Sequence, residues 1–182
     1  MKLLFVDTET GGTDEKKHSL LSVGLIYWEN GKKIDSLELY IREKEYTVTT
    51  EALKINNLNL KEVYDKGINV FEAVSEINRF IEKNFDNEKA ILCGHNVNFD
   101  IRFLKELYMK AGKDYEEKIS YRSLDTASIF RFLTIAGKFK EQEINSLDDA
   151  IKYFEISAEN RHTALGDIEK TVEIFNKVLK VI

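Results

Sequence analysis

The chain has 182 residues, 43% of them hydrophobic, with a single cysteine and a formal net charge of −5. That length suits one globular domain with a real core, and one cysteine excludes an internal disulfide. The absence of a signal segment or a bilayer-length apolar run points to a cytoplasmic protein without a membrane role, and the negative charge argues against a surface that grips long duplexes through counterion release.

The first element is the run Lys2-Leu3-Leu4-Phe5-Val6 closing on Asp7-Thr8-Glu9-Thr10-Gly11-Gly12. Its continuous apolar character predicts a strand buried on both faces. Side chains alternate along a strand, so Asp7 and Glu9 point to the same side. Two adjacent carboxylates repel one another and resist desolvation, and hard oxygen donors of this kind suit Mg²⁺ or Mn²⁺. The Asp-x-Glu spacing recurs at Asp86/Glu88, Asp114/Glu116 and Asp167/Glu169, so a solvated turn explains the spacing equally well. The buried strand and the two glycines, which let a ligand approach the backbone, set the first pair apart.

Strand-like stretches follow at Leu20 to Glu29 and Lys32 to Arg42, joined by Asn30-Gly31, a strong hairpin signal that makes these strands antiparallel. Helical spacing is expected near Thr50 to Val63 and Glu72 to Phe85. A short apolar strand, Ala90 to Gly94, leads through a polar turn into a helix carrying Phe99, Phe103, Leu104, Leu107 and Tyr108, which places Asp100 in the first helical turn. An acid there also complements the helix dipole, so capping alone is an alternative reading.

A short strand near Ser123 to Leu124 precedes helices expected at Thr126 to Ala136, Ser146 to Phe154 and Thr163 to Val181. Ahead of the last stands Asn160-Arg161-His162-Thr163-Ala164-Leu165-Gly166-Asp167. His162 and Asp167 share a site only if His162 lies at or before the helix start, where Thr163 as a cap would put it. His95 and Asp100 repeat the same spacing. A hairpin followed by alternating helices and strands implies a mixed sheet covered by helices, an α/β fold.

Taken together, Phe5-Val6-Asp7-Thr8-Glu9-Thr10-Gly11-Gly12, Gly94-His95-Asn96-Val97-Asn98-Phe99-Asp100 and His162-Thr163-Ala164-Leu165-Gly166-Asp167 resemble, in order and separation, the exonuclease motifs of the DEDDh superfamily. These are relatives of the proofreading epsilon subunit of bacterial DNA polymerase III. The resemblance spans nearly the whole chain and implies one exonuclease domain over residues 1–182 with a ribonuclease-H-like fold. In that fold the first three strands are antiparallel, the later ones parallel, and helices flank the sheet. It also implies a 3′-to-5′ exonuclease releasing nucleoside 5′-monophosphates from the 3′ end of single-stranded or frayed nucleic acid, with DNA favoured over RNA. Asp7, Glu9, Asp100 and Asp167 would hold two Mg²⁺ or Mn²⁺ ions, and His162 would be the general base. Thr8, Thr10 and Gly11 resemble positions that contact the terminal sugar, and Phe99 and Phe103 are candidates for base stacking, although aromatics on an amphipathic helix usually belong to the core. Ser22 departs from the acidic residue that relatives often carry, and no proline occurs.

A stand-alone exonuclease is the first expectation, since the chain ends at Ile182 close behind its last helix. A proofreading module bound to a DNA polymerase and a catalytically silent nucleic-acid-binding domain are the alternatives. Of the remaining features, Cys93 reads as a core thiol, His18 as solvated in a Lys-rich loop, His95 as a structural hydrogen-bonder, Asp125 as a helix cap and Trp28 as packed or at an edge.

Overall fold

A computed structural model describes residues 1–139, 144, 146–159 and 163–180. Strand β1 (Lys2–Thr10) forms the centre of a five-stranded sheet, flanked on one side by β2 (Leu20–Glu29) and β3 (Lys32–Tyr40) and on the other by β4 (Ala90–Gly94) and β5 (Ile119–Asp125). The β1–β2 and β2–β3 pairs are antiparallel, whereas β4 runs parallel to β1 and β5 parallel to β4. This is the mixed sheet that the hairpin signal and the later alternation implied. The hairpin turn works because Asn30 (φ 49°) and Gly31 (φ 87°) both occupy the left-handed region that a tight two-residue connection requires.

Helices cover both faces. Leu4, Val6, Val23 and Leu25 pack with Val74, Ile77, Phe80 and Ile81 of α3 (Val70–Phe85) and with Phe103, Leu104 and Leu107 of α4 (Asn98–Lys110). On the opposite face Leu3, Phe5, Ile26 and Trp28 pack with Ile168, Val172 and Phe175 of α7 (Ala164–Val178). Phe5, Trp28 and Phe175 meet edge to face, and the Trp28 indole donates to Asn176 Oδ1 at 2.9 Å, so Trp28 is a packed residue. A third cluster joins α5 (Thr126–Ile135), α6 (Leu147–Tyr153) and the end of α7 through Phe130, Leu133, Ile151, Ile174 and Val178. Cys93 lies in the interior of β4, where burial pushes its thiol pKa up and leaves it inert.

The helix expected from Thr50 to Val63 is instead two helices, α1 (Thr50–Asn56) and α2 (Leu60–Lys66). Asn57 closes the first in a left-handed conformation (φ 52°), and the Asn59 side chain caps the second by accepting from Lys61 N. The first strand edge of β5 lies four residues earlier than expected, at Ile119. No helix among the described residues is long and apolar enough to cross a membrane.

Candidate active site

The alternation of β1 divides its acidic end between the two faces of the sheet. Leu3 and Phe5 face α7, so Asp7 and Glu9 continue that side, while Thr8 points to the side covered by α4. Helix α7 starts beside β2 because Gly24, the ladder partner of Asp7, has no side chain: a Cβ there would lie 2.7 Å from the Ala164 carbonyl carbon and oxygen. Thr163 caps α7 by accepting from Gly166 N at 3.0 Å, and Asp167 follows in the first turn. The result is a cluster in which Asp7, Glu9 and Asp167 each offer a carboxylate oxygen within 4.8 Å of the other two.

Asp100 reaches the same cleft from the other face. It stands in the first turn of α4, is 4% exposed, and accepts a 2.7 Å hydrogen bond from Thr8 Oγ1. Burial pushes its carboxyl up to about 7 despite the opposing Thr8 bond. A concentration of carboxylates in a partly buried cleft is electrostatically costly, and divalent cations coordinated by hard oxygen donors are what the donor set fits. His162 lies outside the described residues, directly before the Thr163 cap.

The cleft comprises two adjoining chambers. One, of about 410 Å³, holds Asp7, Asp100, Asp167, His95 and Asn96. The other, of about 430 Å³, is walled by Thr10, Gly12, His18, Glu51, Ala52 and Asn56. Thr8, Glu9, Ile55 and Phe99 border both. Of the expected substrate contacts, Thr8, Thr10 and Phe99 therefore face the cleft. Phe103 does not: it is 1% exposed in the core and supports Phe99 from behind, their rings 5.1 Å apart. Gly11 is buried against the Thr47 carbonyl, and its neighbour Gly12 lines the chamber instead.

Several lining residues escaped the sequence reading. His18 is half-buried rather than solvated, covering Gly12 and accepting from Asp14 N through Nδ1 at 3.1 Å. Ile55 is 69% exposed on the rim between the chambers. Asp148, in the first turn of α6, adds a further acid to the chamber that holds Asp7 and Asp167, while the cap of that helix is made by Ser146 and Asp149. Ile55 and Asp148 carry no local signal beyond position near a helix end, and His18, in the loop between β1 and β2, carries none. His95 makes the expected structural bond, 3.2 Å from Nδ1 to Thr126 Oγ1. Because the Thr126 hydroxyl proton goes to the Gly94 carbonyl, His95 Nδ1 is assigned as the donor. Asp125 caps α5 through Ala127 N and also accepts from Asn96 N at 3.0 Å.

Comparison with known proteins agrees with this geometry. The family model RNase_T, described as exonuclease, matches residues 4–175. The PolC-type DNA polymerase III of Caldanaerobacter subterraneus subsp. tengcongensis is 25% identical over 96% of this chain, which spans only 11% of that protein. Ribonuclease T of Wigglesworthia glossinidia brevipalpis is 27% identical over 96% of this chain and 82% of its own length. The structure of E. coli exonuclease I in complex with a dT13 oligonucleotide superposes with a TM-score of 0.80 at 19% identity, covering 97% of this chain and 40% of that one. The ribonuclease-H-like sheet, the converging acids and the matched family model together establish that this chain belongs to the exonuclease family, in its DEDDh, DnaQ-like branch.

Proposed function

We propose that residues 1–182 act as one cytoplasmic, metal-dependent 3′-to-5′ exonuclease domain that trims single-stranded or frayed ends, DNA in preference to RNA, and releases nucleoside 5′-monophosphates. The observation that carries this reading is the meeting of Asp7, Glu9 and Asp167 within 4.8 Å beside a chamber of about 430 Å³. Asp7, Glu9 and Asp167, with Asp100 directly or through water, would hold two Mg²⁺ or Mn²⁺ ions. Such ions, when bound, activate water and neutralise developing charge on oxygen.

The protein's own residues supply the rest. Thr8 Oγ1 holds the Asp100 carboxyl in one orientation. His162 takes the proton of the attacking water as the new P–O bond forms and the bond to the 3′ oxygen breaks; that oxygen leaves with the bonding pair and takes its proton from solvent water. Thr8, Thr10 and the backbone at Gly12 position the terminal sugar, while Phe99 and Ile55 present apolar surface to the last base. Grip on only the end nucleotides is consistent with a net charge of −5. The single-stranded preference draws support from the fold shared with exonuclease I, solved with dT13.

A second reading, a proofreading module working within a DNA polymerase, is favoured by the match to PolC-type polymerases along 96% of the chain. Digestion of matched 5′-labelled DNA and RNA oligonucleotides with Mg²⁺ and with Mn²⁺ tests the first. A ladder shortening from the 3′ end is expected, fastest on DNA; intact substrate under every condition would sink the reading. Copurification with a polymerase that stimulates cleavage would favour the second.

A further inference from the structure

We propose that Asn56 is a positioning residue that fixes the metal-bearing end of β1 to the wall of the terminal-nucleotide chamber; this rests on the metal-dependent reading above. The antiparallel register between β1 and β2 breaks between Glu9 and Thr10: Glu9 faces Ser22, but Thr10 faces Leu20. A bulge of this kind loosens the ladder and re-aims the side chain beside it. The Thr10 carbonyl, one peptide beyond Glu9, is instead held by Asn56 Nδ2 at 2.8 Å. Asn56 is the last residue of α1, the short helix whose Glu51, Ala52 and Ile55 wall the chamber. One amide thus links the strand end presenting Glu9 to the surface that meets the last nucleotide.

Stability alone does not account for this residue. Asn56 is 4% exposed, and its Oδ1 has no hydrogen-bond donor among the described residues. A buried acceptor left unmade is a net cost; an apolar side chain of similar size would remove it and leave the Thr10 carbonyl unmade in its place, so the two costs roughly offset. The half-satisfied amide is explained if the Thr10 bond serves the site, because its geometry sets where the Glu9 carboxylate sits relative to Asp7 and Asp167.

The test is Mn²⁺ binding to the substrate-free protein by calorimetry, well below the melting temperature, for wild type, Asn56→Ala and Asn56→Leu. Alanine leaves room for water at the Thr10 carbonyl, and leucine preserves packing, so at least one variant reports on a folded protein. Expected are a Tm close to wild type, Mn²⁺ affinity weakened about tenfold, and kcat on an oligonucleotide lowered more than KM is raised. Unchanged Mn²⁺ affinity and kcat in a folded variant would overturn the role, whatever happens to Tm. Absence of Mn²⁺ binding in the wild type would instead remove the metal-dependent reading itself.

Discussion

The two faces of β1 treat their acids differently. On the α7 face, Asp7, Glu9 and Asp167 crowd together within 4.8 Å, whereas on the α4 face Asp100 is buried singly and held by the Thr8 hydroxyl. Both Asp100 and Asp167 stand in the first turn of a helix, so secondary structure does not separate them. Strand parity does. On the α7 side three carboxylates share one small volume, while the α4 acid is oriented by the Thr8 hydroxyl.

The sharpest way to break this contrast is to remove a member of the cluster. Asp7→Ala should abolish measurable mononucleotide release, and Asp167→Asn should lower kcat by about 10³-fold or more, since each removes charge that acts on the reacting phosphate. Retained turnover in either variant would contradict the cluster's role. For the base, His162→Gln should cost about 10²- to 10⁴-fold in rate while Mn²⁺ still binds in calorimetry; full activity would relieve His162 of that task. Gly24→Ala probes how the cluster is assembled: pushing the α7 backbone away from β2 should cost on the order of 10²-fold in kcat, because sub-ångström placement of catalytic groups controls rate. An unaffected Gly24 variant would mean that α7 slides without carrying Asp167 out of place.

The smallest effect is read in stability on the other face. Burial raises the Asp100 carboxyl from 3.8 to about 7 in the folded protein. The folded state therefore holds this proton more tightly than the unfolded chain, and the stabilisation present below pH 4 is lost as pH rises through about 7. Thermal melts of the metal-free protein should thus show this contribution shrinking between about pH 4 and 7, and Asp100→Asn should flatten that slope. A variant that keeps the wild-type slope would place the titrating group elsewhere.

Strand alternation alone put Asp7 and Glu9 together, and helical spacing put Asp100 and Asp167 in first turns, because these features are local. The helix predicted across Thr50 to Val63 failed at Asn57, whose left-handed turn competes with a helical pattern that propensity alone favours. His18, Gly24 and Asn56 were illegible for a different reason. Each matters through a segment distant in sequence: His18 through the chamber it lines, Gly24 through Ala164, and Asn56 through Thr10. Phe103 illustrates the converse, an aromatic whose spacing fits both a stacking platform and the core, and whose 1% exposure decides for the core. The three ordered motifs carried the family, yet the partition of their acids between two faces emerged only from packing.

Ile55 and Phe99 border both chambers, standing where the space beside the acids opens into the space beside His18. On the proposed exonuclease reading, a strand end would pass these two apolar side chains to reach the acids. The side chains at positions 55 and 99 would then help to set how far that end enters before each cut. Enlarging the gap, as a smaller residue at position 55 would, should blur the step size before it slows the cut.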